Sequence, residues 1–286
     1  MRSGNKTVSA THLKKKNDRI FTDQAIKNIQ LKHLFMHLTL QQFSTIWMDP
    51  EANLEIVRQA AGSLSHKEGS LLILPEMFNT GYTMTPSSIP AEWQDLTINA
   101  LQTISSDTGT GICGSIPFLK NGKWYNTFIL VDGTDAKIVY DKIHLFTPAG
   151  EKASYEAGTS SETLDYRGWK ILPLICYDLR FPYLSFREQL PDIIIYTANW
   201  PAARIDHWDA LLTARAIENQ CYVAGVNRTG QDENGFIYPG HSMLIDFSGK
   251  KMLCMDDKPG FSDQEIGRLE MESYRKKLPF FDDRKL

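Results

Sequence analysis

Short apolar runs separated by turn residues alternate along this chain with three longer stretches that read as helices. The run M-H-L-T-L-Q-Q-F from Met36 reads as an opening strand. The stretch after it places Asp49 as an N-cap, Pro50 at the first helical position and Glu51 behind it, which predicts a helix to about Leu64. A strand over 71–75 follows, then a helix from about Ala91 to Ser105 with apolar positions at Trp93, Leu96, Ala100, Leu101 and Ile104, closed by Gly109 and Gly111. I-C-G-S-I-P-F-L and W-Y-N-T-F-I-L-V-D-G flank Asn121-Gly122, a hairpin signal, and a third antiparallel strand over Ile138 to Phe146 carries Lys142. Beyond it, Ile171 to Ile175 is too short for a free-standing helix and rich in branched side chains, as a buried strand is. D-I-I-I-Y-T, C-Y-V-A-G-V-N and Y-P-G-H-S-M-L-I-D-F give further strands, the last leading to a Ser248-Gly249 turn, with a helix over Ala202 to Gln220 among them. Helices between some strands and hairpins between others predict an α/β protein, a mixed-sheet sandwich with helices outside.

The 286 residues, 42% of them hydrophobic, suffice for one large domain or two small ones, and the unbroken alternation favours one. A net charge of −3 argues against a general nucleic-acid binder, and no apolar run reaches the length of a membrane span. The four cysteines, at 113, 176, 221 and 254, form no C-x-x-C pair, so neither a metal site nor a disulfide framework is expected, and a reducing cytoplasm is the simplest compartment. Residues 1–35 differ in composition, with eight basic side chains against two acidic ones and no apolar core of a secretory signal. A disordered basic arm, an organellar leader and a start placed too far upstream all fit. The last is favoured because the strand pattern opens at Met36, giving a domain over 36–286.

Three ionisable residues stand where apolar runs end. Glu76 follows L-L-I-L-P and is flanked by apolar residues, which is unlike a solvated face; Lys142 interrupts an apolar run beside Asp141 and His144; Cys176 ends Ile171–Ile175 on a turn bounded by Asp178 and Pro182. Each has a plainer reading: a small core cysteine, or an edge-strand lysine that blocks aggregation.

With these flanks, Glu76, Lys142 and Cys176 resemble the Glu-Lys-Cys triad of the nitrilase superfamily, the carbon-nitrogen hydrolases. Y-D-K-I-H-L-F, Glu151, Tyr155, Ala157-Gly158, W-K-I-L-P-L-I-C-Y-D-L-R-F-P, A-N-W-P at 198–201 and L-L-T-A-R-A-I-E-N-Q at 211–220 follow in that family's order. Within it the chain is most similar to the bacterial omega-amidase branch, which hydrolyses the terminal amide of 2-oxoglutaramate and related acids, and S-Y-R-K-K-L-P-F-F-D-D is like that branch's tail. The resemblance implies a four-layer α-β-β-α sandwich, a homodimer formed through one helix layer, and Glu151 as a fourth site position. It also implies small amides and water as substrates, without a cofactor.

Amide hydrolysis needs a strong nucleophile, a proton shuttle and a cation at the developing oxyanion. Cys176 is expected to supply the first and Glu76 the second. Lys142, together with the backbone N–H of Tyr177, is expected to supply the third. Glu151 would orient Lys142 and the substrate amide, unless it is a loop glutamate in solvent. His144 is expected to be a packed, hydrogen-bonded residue. Arg180 and Arg204 are candidates for the substrate carboxylate, with Phe78, Tyr82, Phe118 and Trp200 as apolar walls. For Arg180 a buried pairing with Asp178 or Glu218 stays open. Asn126 and Asn199 are expected to hold loops, and Arg215 and Glu218 to form a buried pair. Another C–N hydrolase, an N-carbamoyl amino-acid amidohydrolase or a nitrilase, is the alternative reading; a non-catalytic binding protein of this fold is a third. Cys113, Cys221 and Cys254, on apolar strands, should react with alkylating agents more slowly than Cys176.

Overall fold

A computed structural model describes residues 34–64 and 69–285. The predicted basic extension therefore lies outside the described residues, apart from Leu34 and Phe35. Fourteen strands run in chain order as β1 Phe35–Gln42, β2 Ser70–Ile73, β3 Gly111–Lys120, β4 Lys123–Asp132, β5 Asp135–Asp141, β6 Leu164–Tyr166, β7 Trp169–Ile175, β8 Ile193–Ala198, β9 Tyr222–Asn227, β10 Thr229–Gln231, β11 Ile237–Pro239, β12 Met243–Ile245, β13 Lys251–Cys254 and β14 Gly260–Gly267. Two six-stranded sheets contain all but β10 and β11, in the orders β14-β1-β2-β3-β4-β5 and β13-β12-β9-β8-β7-β6. Each has a parallel centre, β1-β2-β3 in one and β7-β8-β9 in the other, with antiparallel strands outside it.

Period-two alternation explains how the layers form. In β2 and the residue after it, Leu71 and Ile73 join the core shared with the second sheet, whereas Leu72 and Leu74 join the core under helices α1 (Pro50–Gly62) and α2 (Glu92–Thr108). Asp49 caps α1 by accepting the Ala52 N–H, and Gly109 closes α2 in the left-handed conformation at φ 69°. A four-residue helix, α3 (Glu151–Ser154), precedes the second sheet. That sheet is covered by α4 (Ile205–Asn219), with α5 (Arg268–Lys277) after the last strand. Gly225 in β9 lets α4 approach closely, since a Cβ there would lie 2.4 Å from Leu212 Cδ1. The result is the four-layer α-β-β-α sandwich. No helix among the described residues is long and apolar enough to cross a membrane.

Four expectations shift in detail. β1 begins at Phe35, and the Arg268 N–H donates to the Leu34 carbonyl, so a domain boundary at Met36 cuts into a strand edge. The strand expected to carry Lys142 ends at Asp141, one residue short of it, although the Lys142 N–H still donates to the Asn126 carbonyl. The run Tyr238–Phe247 is not one strand: Gly240 (φ 68°) and His241 (φ 56°) break it between β11 and β12. Cys113 and Cys221 are buried as expected, but Cys254 is exposed, because β13 is an edge strand without a cover.

Candidate active site

The parallel strands deliver their chain ends to one place, which is where open α/β sheets put ligand-binding groups. Glu76 lies three residues past β2, Cys176 directly follows β7, and Asn199 directly follows β8. Lys142 follows β5, Asn126 sits within β4, and Glu151 opens α3. Both sheets thus contribute. Two of the turns hold non-glycine residues in the left-handed region, Met77 at φ 48° and Cys176 at φ 45°. Such conformations cost of order 1–3 kcal/mol and persist where the surroundings impose them.

The Lys142 ammonium is the hub. Its Nζ donates to Glu76 Oε1 at 2.8 Å and to Glu151 Oε1 and Oε2 at 3.0 and 2.9 Å, with all three side chains fully buried. Burial opposes the charge on Lys142, but the Glu151 and Glu76 carboxylates outweigh it and hold the group well above its ordinary range. The remaining carboxylate lone pairs are also satisfied. Asn126 Nδ2 donates to Glu76 Oε1 (2.8 Å) and Glu151 Oε1 (3.2 Å), while Tyr82 Oη and the Phe146 N–H donate to Glu151 Oε2 at 3.1 and 2.6 Å. Asn199 holds Glu76 from the other side: its N–H donates to Oε2 at 2.9 Å, and its Nδ2 donates to Oε2 at 3.2 Å and to the Glu76 carbonyl at 2.9 Å. This saturation is what a buried ionic cluster needs in order not to be disruptive.

The Cys176 thiol donates weakly to the Asn199 carbonyl, at 3.8 Å. Burial, then the Glu76 carboxylate, push this thiol well above its ordinary range, and Lys142 only partly offsets them. A thiol so placed rests protonated and needs a base to take its proton as it reacts.

Cys176 and Asn199 line a cavity of about 610 Å³, together with Tyr82, Phe146, Tyr177, Arg180, Trp200 and Arg204. Arg180 stacks on the Trp200 ring at 4.8 Å and its Nη2 lies 3.2 Å from His207 Nδ1. The pairing of Arg180 with Asp178 or Glu218 is thereby excluded, because Asp178 is saturated by other donors and Glu218 accepts from Arg215 at 2.8 Å. That Arg215–Glu218 pair is buried only on the arginine side. Arg204 lies 5.5 Å from the Phe146 ring centre, and among the described residues its guanidinium makes no hydrogen bond or ion pair.

Phe78 and Phe118 are not walls of this cavity. Both belong to the core under α1 and α2. Phe118 shares the face of β3 that holds Ile112 and Ile116, and the turn at Met77 sends Phe78 against Gly114, where a Cβ would lie 3.1 Å from its ring. Glu151 is not a solvent-facing loop residue, and Asn126 and Asn199 are not mere loop holders, since all three bond the ionic cluster. A signal for Asn126 was present: W-Y-N-T-F-I-L places an amide inside a strand that is otherwise becoming apolar. The rim formed by Asp232, Glu233, Asn234 and Phe236, between β10 and β11, had no such signal. His144 is packed as expected, stacked on Phe181 with ring centres 3.6 Å apart and hydrogen-bonded to Asp178.

Comparison with known proteins gives the same grouping. The model of the carbon-nitrogen hydrolase family matches residues 37–276. An omega-amidase YafV from Yersinia enterocolitica is 40% identical over 251 residues, covering 87% of this chain and 96% of its own length. A 2-oxoglutaramate amidase from Bacillus subtilis is 34% identical over 223 residues, covering 76% of this chain and 85% of its own. Among solved structures, XC1258 from Xanthomonas campestris, a CN-hydrolase superfamily protein with an arsenic adduct in its active site, superposes with a TM-score of 0.80 at 31% identity. The match covers 88% of this chain and 98% of that one.

Proposed function

The chain belongs to the carbon-nitrogen hydrolase family, and from that premise we propose that it is an omega-amidase, releasing ammonia from the terminal amide of 2-oxoglutaramate and similar short 2-oxo acid amides. The observation that carries this reading is the fully buried Lys142 ammonium, held by Glu76 and Glu151 behind a cavity that Cys176 lines. A fixed cation in a dry site is suited to an oxygen that acquires charge during reaction and adds nothing to a passive binding pocket.

The chemistry runs in two halves. Glu76 takes the Cys176 proton as the sulfur bonds to the amide carbon. The carbonyl oxygen then carries the negative charge, facing Lys142 Nζ and the Tyr177 N–H, a type of donor whose loss costs about 2.7–4 kcal/mol in other hydrolases. Glu76 passes its proton to the amide nitrogen, the C–N bond breaks and ammonia leaves a thioester. Water then gives a proton to Glu76 and its oxygen to the acyl carbon, the C–S bond breaks, and the proton returns to sulfur. Glu151 holds Lys142 throughout.

Tyr82 and Trp200 offer walls for the short carbon chain, and the unengaged Arg204 is the carboxylate ligand, with Arg180 beside it. Ammonia release from 2-oxoglutaramate, 2-oxosuccinamate, glutamine, a carbamoyl amino acid and a nitrile tests the reading. Turnover of the nitrile, or carbon dioxide accompanying ammonia from the carbamoyl compound, with the oxo-amides inert, would replace it with one of the sister activities. The proposal extends to a homodimeric cytoplasmic enzyme whose hydrolase domain is residues 36–286 plus the strand edge at Leu34 and Phe35. Sedimentation checks the dimer and a chain starting at Leu34 checks the domain: a monomer, or a chain with lost activity, would contradict them.

A further inference from the structure

Lys142 and Cys176 belong to different sheets, so their relative position depends on how the ends of β5 and β7 are tied together. One buried carboxylate ties them. Asp178, two residues after Cys176 and fully buried, accepts four hydrogen bonds. Its Oδ2 accepts from the Ile175 N–H at 3.0 Å, the residue just before the cysteine, and from Tyr140 Oη at 2.7 Å, two residues before the lysine. Its Oδ1 accepts from the His144 N–H and from His144 Nδ1–H, both at 3.0 Å, two residues after the lysine. Tyr140 Oη in turn accepts from the Ile143 N–H at 3.0 Å. Residues on both sides of Lys142 and the residue before Cys176 thus converge on one side chain that touches neither.

We propose that Asp178 is a positioning residue: by clamping the Tyr140–His144 segment to the Ile175–Asp178 turn across the two sheets, it fixes the Lys142 ammonium relative to the Cys176 sulfur. A local role, capping the turn after β7, would need only the Ile175 bond. The other three bonds all go to the lysine's segment. A carboxylate is suited to the task because it accepts from four donors at once, and charge-assisted bonds in a dry interior are about twice as strong as neutral ones. An amide in its place puts an NH₂ donor against donors in either orientation.

The inference rests on the proposed roles of Lys142 and Cys176, and two variants test it. Asp178→Asn disturbs the whole clamp. Tyr140→Phe removes one hydroxyl on the lysine side and leaves the Ile175–Asp178 bond intact. A shift of a few tenths of an ångström to 1 Å between reacting groups costs up to about 100-fold in rate. For Tyr140→Phe the expected result is a fall in kcat of about tenfold with KM within twofold, and a slower, alkaline-shifted pH profile of Cys176 alkylation, read peptide by peptide by mass spectrometry. For Asp178→Asn both effects should be larger. A Tyr140→Phe protein with wild-type kcat and a wild-type alkylation profile, whatever its melting temperature, overturns the proposal. Should the wild type hydrolyse no amide at all, the functional reading fails, while the alkylation profile still decides the clamp.

Discussion

Glu151 grips Lys142 with both carboxylate oxygens, at 3.0 and 2.9 Å, while Glu76 uses only one of its own on the same ammonium. The asymmetry divides the labour. Glu151 spends its remaining capacity on Asn126, Tyr82 and the Phe146 N–H, so it is fixed on every side and suited to holding a charge. The second oxygen of Glu76 is held by Asn199, whose carbonyl also takes the Cys176 thiol, so this carboxylate is the one placed towards the sulfur.

Glu151→Gln should therefore lower kcat far more than it raises KM. The glutamine keeps the shape and removes one of the two charges that outweigh the burial of Lys142. A loss of about 10²–10³ in kcat, the scale of a lost oxyanion donor, is the expected outcome in an ammonia-release assay. Activity within threefold of wild type would show that Glu76 alone suffices to hold the ammonium.

Cys176→Ala should leave less than about one per cent of wild-type turnover with circular dichroism unchanged, since a nucleophile has no substitute in a covalent mechanism. Alkylation of the intact protein should modify Cys254 as well as Cys176, because Cys254 is exposed, and should spare Cys113 and Cys221, which are fully buried. Retained activity in the alanine variant, or activity lost in step with Cys254 modification alone, would remove Cys176 from its role.

The site was legible in the sequence where a charged residue interrupts an apolar run: Glu76, Lys142 and Cys176 all stand at such breaks, and the period-two runs gave the sheets. What the sequence did not disclose depends on three-dimensional direction. Phe78 was expected as a cavity wall, but beyond the positive φ of Met77 it packs in the core under α1 and α2. Phe118 failed for a related reason, since one residue of offset along a strand exchanges core for cavity. Asn126 and Asn199 were expected to hold loops, because an asparagine that bonds a carboxylate distant in sequence looks much like one that holds a turn. The Glu76–Asn199 contact spans 123 residues.

Stability should fall on the alkaline side. Burial raises the Cys221 thiol from its ordinary 9.0 to about 12 and pushes Cys113 higher still. A thiol raised in the folded state stabilises fully below its unfolded value, and that stabilisation is lost as pH climbs from about 9 towards the folded value. Melting temperature should thus hold between pH 7 and 8.5 and decline above about pH 9. Cys221→Ala should flatten the decline, and an unchanged slope in that variant would show that the thiol does not govern it.

The last prediction concerns substrate choice. Glutamine and 2-oxoglutaramate share the amide and the chain length, and differ where one carries an ammonium and the other a keto oxygen. The cavity presents two guanidinium groups, and the one on Arg204, beside the Phe146 ring, makes no hydrogen bond or ion pair among the described residues. A carboxylate can answer that charge, whereas an ammonium beside it faces like charge and a loss of water. The keto acid amide should therefore exceed glutamine in kcat/KM by more than tenfold, a gap of about 1.4 kcal/mol in transition-state binding. Arg204→Met should raise KM for 2-oxoglutaramate while changing kcat little, because the lost contact lies at the far end from the reacting carbon and is made equally in the ground and transition states. Glu233, which also lines the cavity, gives a second test: a carboxylate there would receive the glutamine ammonium. If glutamine comes within tenfold of 2-oxoglutaramate and Glu233→Gln restores the gap, the site reads the amino group through Glu233. If Glu233→Gln leaves the two substrates equal and Arg204→Met does too, neither charge sets the choice, and the omega-amidase reading fails while the Glu76–Lys142–Cys176 arrangement stands.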